Sequence, residues 1–168
     1  MKRFSAIILC FTFMLCGCGT GKKIKVKTDF LSFGCNIDYK DDKYSLDVTI
    51  LENGEMDCFV TAPQTLVGMR CIVDDKRVKI DYMGIEIEKK LSEIPFGSAV
   101  SLFYAVMDDV SGKTLDRRGD NYYLSGRANG IEYTLFATEE GIPVSISFEK
   151  EKIFMEFVKL TLVNAKEK

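Results

Sequence analysis

Successive side chains of an extended chain point to opposite faces. A sequence that alternates apolar and polar residues over many short runs must therefore bury one face of a sheet and leave the other in water. From Lys25 onward this alternation dominates the chain, with turn signals about every eight to twelve residues. Tyr44, Leu46, Val48 and Ile50 alternate with Ser45, Asp47 and Thr49, and after the Asn53-Gly54 turn Met56, Cys58 and Val60 return as a hairpin. Pro63-Gln64 breaks the next run, which Met69, Cys71 and Val73 carry to a turn at Asp74-Asp75-Lys76. Val78, Ile80 and Tyr82 form another strand, Gly84 a break, and Ile85 with Ile87 the next. Tyr122 to Arg127 and the run Ile131, Tyr133, Leu135, Ala137 flank a second Asn-Gly turn at Asn129-Gly130. A turn over Glu139 to Pro143 precedes Val144, Ile146 and Phe148, and one over Glu149 to Lys152 precedes a last strand, Ile153 to Val163. The pattern predicts nine or ten antiparallel strands.

One segment departs from period two. Ala99, Leu102, Phe103, Val106, Met107 and Val110 recur at spacings of three and four, so Ser98 to Ser111 reads as an amphipathic helix. Ser98 is the expected N-cap and Gly112 the residue just past the end, while Asp108 and Asp109 sit at the unfavourable, negative end of the helix dipole. The polar residues 111–121 read as a loop at the rim. The expected fold is mainly β (α+β): a single curved antiparallel sheet with one amphipathic helix covering its concave face.

Ahead of this domain, Met1-Lys2-Arg3 gives a short positive segment, and the apolar run Phe4 to Leu15 is too short to cross a bilayer of roughly 30 Å as a helix. That is the form of an export signal. Leu15-Cys16-Gly17-Cys18 resembles the bacterial lipobox, which implies cleavage before Cys18 and acylation of that cysteine; an ordinary signal peptide cut near Gly17 or Gly19 is the alternative. Two or three acyl chains hold a protein firmly to a membrane where one binds only marginally. The expected organisation is a signal peptide over residues 1–17, a lipidated Cys18 with a short Lys-rich tether over 18–27, and one domain over 28–168. The expected location is the extracytoplasmic face of a cell membrane, or an outer membrane where the organism has one. Lys22, Lys23, Lys25 and Lys27 either face lipid headgroups or lie on a plain solvated strand.

Composition restricts the chemistry. The 168 residues include no His, which removes Ser-His-Asp and Cys-His nucleophiles, His-containing zinc sites and His general bases. Lys+Arg (23) nearly balance Asp+Glu (25), so the basic excess of a nucleic-acid binder is missing. The pairs Asp41-Asp42, Asp74-Asp75 and Asp108-Asp109 lack the spacing of a calcium loop, and no metal site or cofactor is expected. Ser111-Gly112-Lys113-Thr114 has Met107 where a P-loop needs its first Gly, and Arg118-Gly119-Asp120 is a chance tripeptide. Beyond Cys18, the domain holds Cys35, Cys58 and Cys71. A hairpin centred near Gln64 and Thr65 sets Cys58 opposite Cys71, where they form either a disulfide or two buried thiols. Seven Met, twelve Phe and seven Tyr make the covered face rich in adaptable and aromatic side chains. Leu46, Met69, Ile80, Phe103 and Met107 on that face either line an apolar ligand cavity or fill the core.

The stretch Val60-Thr61-Ala62-Pro63 with Leu66-Val67-Gly68, then Val78-Lys79-Ile80-Asp81-Tyr82-Met83-Gly84, then the approach to a helix over Leu91 to Phe96, resembles the LolA/LolB/RseB-like half-barrel superfamily. The chain departs from its carriers in lacking their long N-terminal helix. The resemblance implies a non-catalytic lipoprotein whose half-barrel binds an acyl chain or a lipidated protein. Its alternative is an envelope protein-interaction or regulatory module with a filled core, of the RseB or germination-lipoprotein kind. The implied partners are the membrane, through acylated Cys18, and a lipid, a lipidated protein or an envelope protein; nucleic acid is not among them.

Overall fold

Hairpin pairing carries the alternation into a single sheet. The computed structural model describes residues 23–74, 76–94 and 96–163; the expected signal peptide, Cys18 and the Asp75 of the 74–76 turn lie outside them. Among the described residues there are eleven strands: β1 (Phe30–Tyr39), β2 (Asp42–Ile50), β3 (Met56–Ala62), β4 (Arg70–Val73), β5 (Arg77–Tyr82), β6 (Ile85–Lys90), β7 (Asp116–Arg118), β8 (Asn121–Ala128), β9 (Ile131–Ala137), β10 (Pro143–Phe148) and β11 (Ile153–Leu162). They form one antiparallel sheet in the order β6-β5-β4-β3-β2-β1-β11-β10-β9-β8-β7, so the first and last strands meet in the middle and the sheet curves without closing. The fold is the mainly β, helix-covered sheet expected from the pattern.

The register explains why the alternation is so regular. Phe33 pairs with Val48, Val48 with Cys58, Cys58 with Cys71, Cys71 with Ile80 and Ile80 with Ile87. This apolar row crosses six strands on one face, and it is buried until the edge strand β6, where Ile87 is exposed. A slip of one residue in any strand would turn its share of the row out to water.

The face so formed is covered by α1 (Gly97–Val110), the one α-helix among the described residues. On the helix, Ala99, Leu102, Phe103, Val106 and Val110 are buried on the three-and-four spacing expected, Val100 is buried with them, and Met107 of the expected stripe is half-buried. The Phe103 ring lies 5.3 Å from that of Phe33 and 5.7 Å from that of Phe157, centre to centre. The Tyr104 hydroxyl donates to the Val73 carbonyl at 2.9 Å, tying the helix to the end of β4.

Three local expectations are corrected. The helix starts one residue before the expected N-cap: Phe96 occupies that position and Ser98 lies in the first turn. Gly97 sets this start, because a Cβ there would run into the Leu91 carbonyl oxygen and the Ile94 side chain of the preceding 3₁₀ turn. Gly112 does adopt the left-handed conformation (φ +73°) that ends a helix. The rim loop expected over 111–121 contains β7, which pairs Asp116, Arg117 and Arg118 with Tyr123, Tyr122 and Asn121. All three β7 residues are exposed, so no alternation marks them, and the strand exists through its ladder with β8. The count of eleven strands accordingly exceeds the nine or ten expected.

The segment ahead of β1 is also fixed to the domain. Lys25 bridges Thr114, the Leu115 amide donates to the Ile24 carbonyl at 2.8 Å, and the Lys27 amide donates to the Gly141 carbonyl at 2.8 Å. Val26 is buried.

Candidate ligand clefts beside the helix

Two clefts with apolar lining border α1, one at its N-terminal end and one beside its middle and the helical turn that follows. The first cleft, of about 870 Å³, opens where the start of α1 meets the β1–β2, β8–β9 and β10–β11 turns and the segments around Lys76 and Lys90. Its apolar lining comes from Tyr39, Leu91, Leu102, Ile131 and Ile153. Among the described residues, Lys40, Lys76, Arg77, Lys90 and Lys150 surround it with exposed side chains, against a single lining carboxylate, Glu151. Arg77 pairs with Glu88 at 2.9 Å and Lys150 with Glu132 at 2.6 Å, carboxylates that stand outside the lining. The Lys40 ammonium lies 5.0 Å from the centre of the Tyr39 ring. The Glu151 Oε2 atom is buried and has no hydrogen-bond partner among the described residues.

The second cleft, of about 800 Å³, opens beside the C-terminal half of α1. Phe30, Ile50, Met56, Phe103, Met107 and Val163 give it apolar walls, with Asp29 and Glu52 among its lining residues. Both volumes fall within the range of roughly 300–1,000 Å³ usual for small-molecule sites.

These clefts divide the residues expected to share a cavity. Phe103 and Met107 line the second cleft together. Leu46 and Met69 are buried within the packed face and line neither cleft. Ile80, also buried, borders a separate groove lined with Ile72, Lys79 and Ile87. The cations of the first cleft escape sequence reasoning: they sit in turns and at strand ends, where the alternation carries no information.

Cys35, Cys58 and Cys71 line neither cleft. Cys58 faces Cys71 in the register expected, and of the two states open to them the structure contains free, buried thiols. Burial pushes the Cys71 thiol up to about 11, burial and nearby Glu156 push Cys35 up to about 12, and burial raises Cys58 further still. Such thiols are poor nucleophiles because the thiolate is scarce. Among the described residues no three His, Cys, Asp or Glu side chains come together as metal ligands, and no helix is long and apolar enough to cross a membrane.

Fold and clefts together define a helix-covered, half-open β-sheet protein with two clefts along the helix. Solved structures resemble it distantly, among them the following three. An uncharacterised conserved protein from Thermus thermophilus gives a TM-score of 0.47 at 14% identity, over 83% of each chain. A LolA superfamily protein from Nitrosomonas europaea gives 0.43 at 11% identity, over 84% of this chain and 89% of the other. LprF from Mycobacterium bovis gives 0.45 at 12% identity, over 82% and 90%. No family model and no curated protein matches the chain. Likenesses this distant carry nothing about ligand or partner.

Proposed function

We propose that this protein is a membrane-anchored extracytoplasmic lipoprotein that binds an apolar ligand, an acyl chain or a lipidated protein, without catalysis. The observation that carries the reading is the pair of large, half-open clefts with apolar walls, one at the start of α1 and one beside its middle. The lipobox-like Leu15-Cys16-Gly17-Cys18 supports the anchor, and the absence of His from the chain supports a binding role over a chemical one. Met56 and Met107 in the second cleft suit chains of varied shape, because an unbranched thioether adapts to its neighbour.

Native mass spectrometry of the full chain, purified in mild detergent and followed by solvent extraction, tests the binding. Recovery of about one lipid per protein supports it, and recovery of none under conditions that keep the fold overturns it. Metabolic labelling with radioactive palmitate tests the anchor separately: incorporation should be lost in Cys18→Ala and kept in Cys16→Ala.

A further inference from the structure

The two clefts differ in a way that apolar binding alone does not require. The chain as a whole carries a formal net charge of −2, yet among the described residues the first cleft is lined by Lys40, Lys76, Arg77, Lys90 and Lys150 with Glu151 as the one carboxylate. Among the described residues the second cleft has no Lys or Arg in its lining, and it includes Asp29 and Glu52. The geometry points to the first cleft as the site of an anionic phospholipid, its acyl chain on Leu91, Leu102, Ile131 and Ile153 and its phosphate among the surrounding lysines. This inference rests on the apolar-ligand reading above and assigns it a place and a charge.

Charge complementarity carries the assignment. These cations come from four separate places in the chain, the β1–β2 turn, the β4–β5 turn with the start of β5, the end of β6 and the β10–β11 turn, and the fold gathers them around one apolar opening. The lysine heads stay in water while the lining beneath them is apolar, an arrangement that suits a ligand with one charged end and one greasy end. Arg77 and Lys150 are partly neutralised by Glu88 and Glu132. Lys40 and Lys90 are therefore the side chains whose removal tests the charge with least disturbance of existing ion pairs. Glu151 acts in the opposite sense, since its carboxylate lies in the lining that the phosphate would approach.

The test titrates the full chain, purified in nonionic detergent, with lysophosphatidylglycerol, with lysophosphatidylcholine of the same chain length and with glycerol phosphate, reading occupancy by native mass spectrometry. The anionic lipid should bind about fivefold or more tightly than the zwitterionic one, as two or three modest charge contacts would give. That preference should shrink in Lys40→Glu/Lys90→Glu and at high salt, while the zwitterionic lipid is unaffected. Glu151→Gln should bind the anionic lipid more tightly, a gain that misfolding cannot produce. Equal binding of the two lipids overturns this inference and leaves the apolar-ligand reading standing. Binding of neither overturns both. Binding of glycerol phosphate as tightly as the lipid overturns it in favour of a plain anion site.

Discussion

The Tyr133 hydroxyl on β9 donates a hydrogen bond to Asp109 in the last turn of α1, and Lys113 holds the other oxygen of that carboxylate at 2.7 Å. By position alone Asp109 is misplaced, at the negative end of a helix dipole. With a phenol from the sheet and an ammonium from the following turn, it becomes the point where the helix end is fastened to β9.

Both partners favour the ionised carboxylate, the Lys113 contact first and the Tyr133 bond second, and they hold Asp109 below the usual carboxylate range. A folded pKa below the unfolded one contributes stability that is complete above the unfolded value of about 4 and is lost as pH falls through the folded value. Asp109→Asn should therefore cost about 1 kcal/mol at pH 7, and the gap to the parent should narrow below about pH 4. Urea denaturation at pH 7 and pH 3 measures this, and an equal gap at both would exclude it.

Gly126 on β8 makes room for the same contact. A Cβ at this position would stand 2.6 Å from the Tyr133 hydroxyl oxygen, 2.7 Å from its Cζ and 2.9 Å from an Asp109 oxygen. Gly126→Ala should destabilise by about 1–3 kcal/mol, the usual cost of overpacking. Because the clash is with the ring, the penalty should be smaller when Tyr133→Leu is already present. A thermal-denaturation double-mutant cycle measures the coupling, and strict additivity would mean that the glycine has some other role.

How far the sequence discloses this architecture depends on what each residue's neighbours are. The strands of the apolar row are legible because each buried residue alternates with a polar one, so Val48, Cys58 and Cys71 reveal their shared face before their partners are known. β7 is hidden because Asp116, Arg117 and Arg118 are all exposed and the strand is defined only by β8. The helix start is hidden because Gly97 answers to the Leu91 carbonyl, a contact made through the fold of the preceding 3₁₀ turn. The clefts are hidden for a related reason. Alternation says that Leu46 and Phe103 face the interior, but where along the strands α1 stops covering them depends on how the helix lies across the sheet.

The cysteines offer a direct check on burial. Cys35, Cys58 and Cys71 are free, buried and shifted toward the neutral thiol, so iodoacetamide at pH 8 should leave all three unmodified in the folded protein. In urea without reductant all three should become alkylated, each adding its expected mass. Protection of Cys58 and Cys71 in urea that is relieved only by a reductant would mean that the facing pair is oxidised.

Phe103 joins the filled and open parts of the interior. Its ring contacts Phe33 and Phe157 in the core, and it also forms part of the wall of the second cleft. Truncation to Ala removes a buried ring, a change that costs about 3–5 kcal/mol where the surroundings cannot collapse. The space vacated is continuous with an existing opening, so an apolar ligand can enter it, and binding to the folded state offsets part of the loss by mass action. Phe103→Ala should thus be strongly destabilised in ligand-free buffer and regain more melting temperature than the parent when a neutral lipid such as monoolein is added. Differential scanning fluorimetry with and without the lipid distinguishes the cases: an equal lipid-induced rise in both proteins would mean that the second cleft does not take an apolar chain next to this ring.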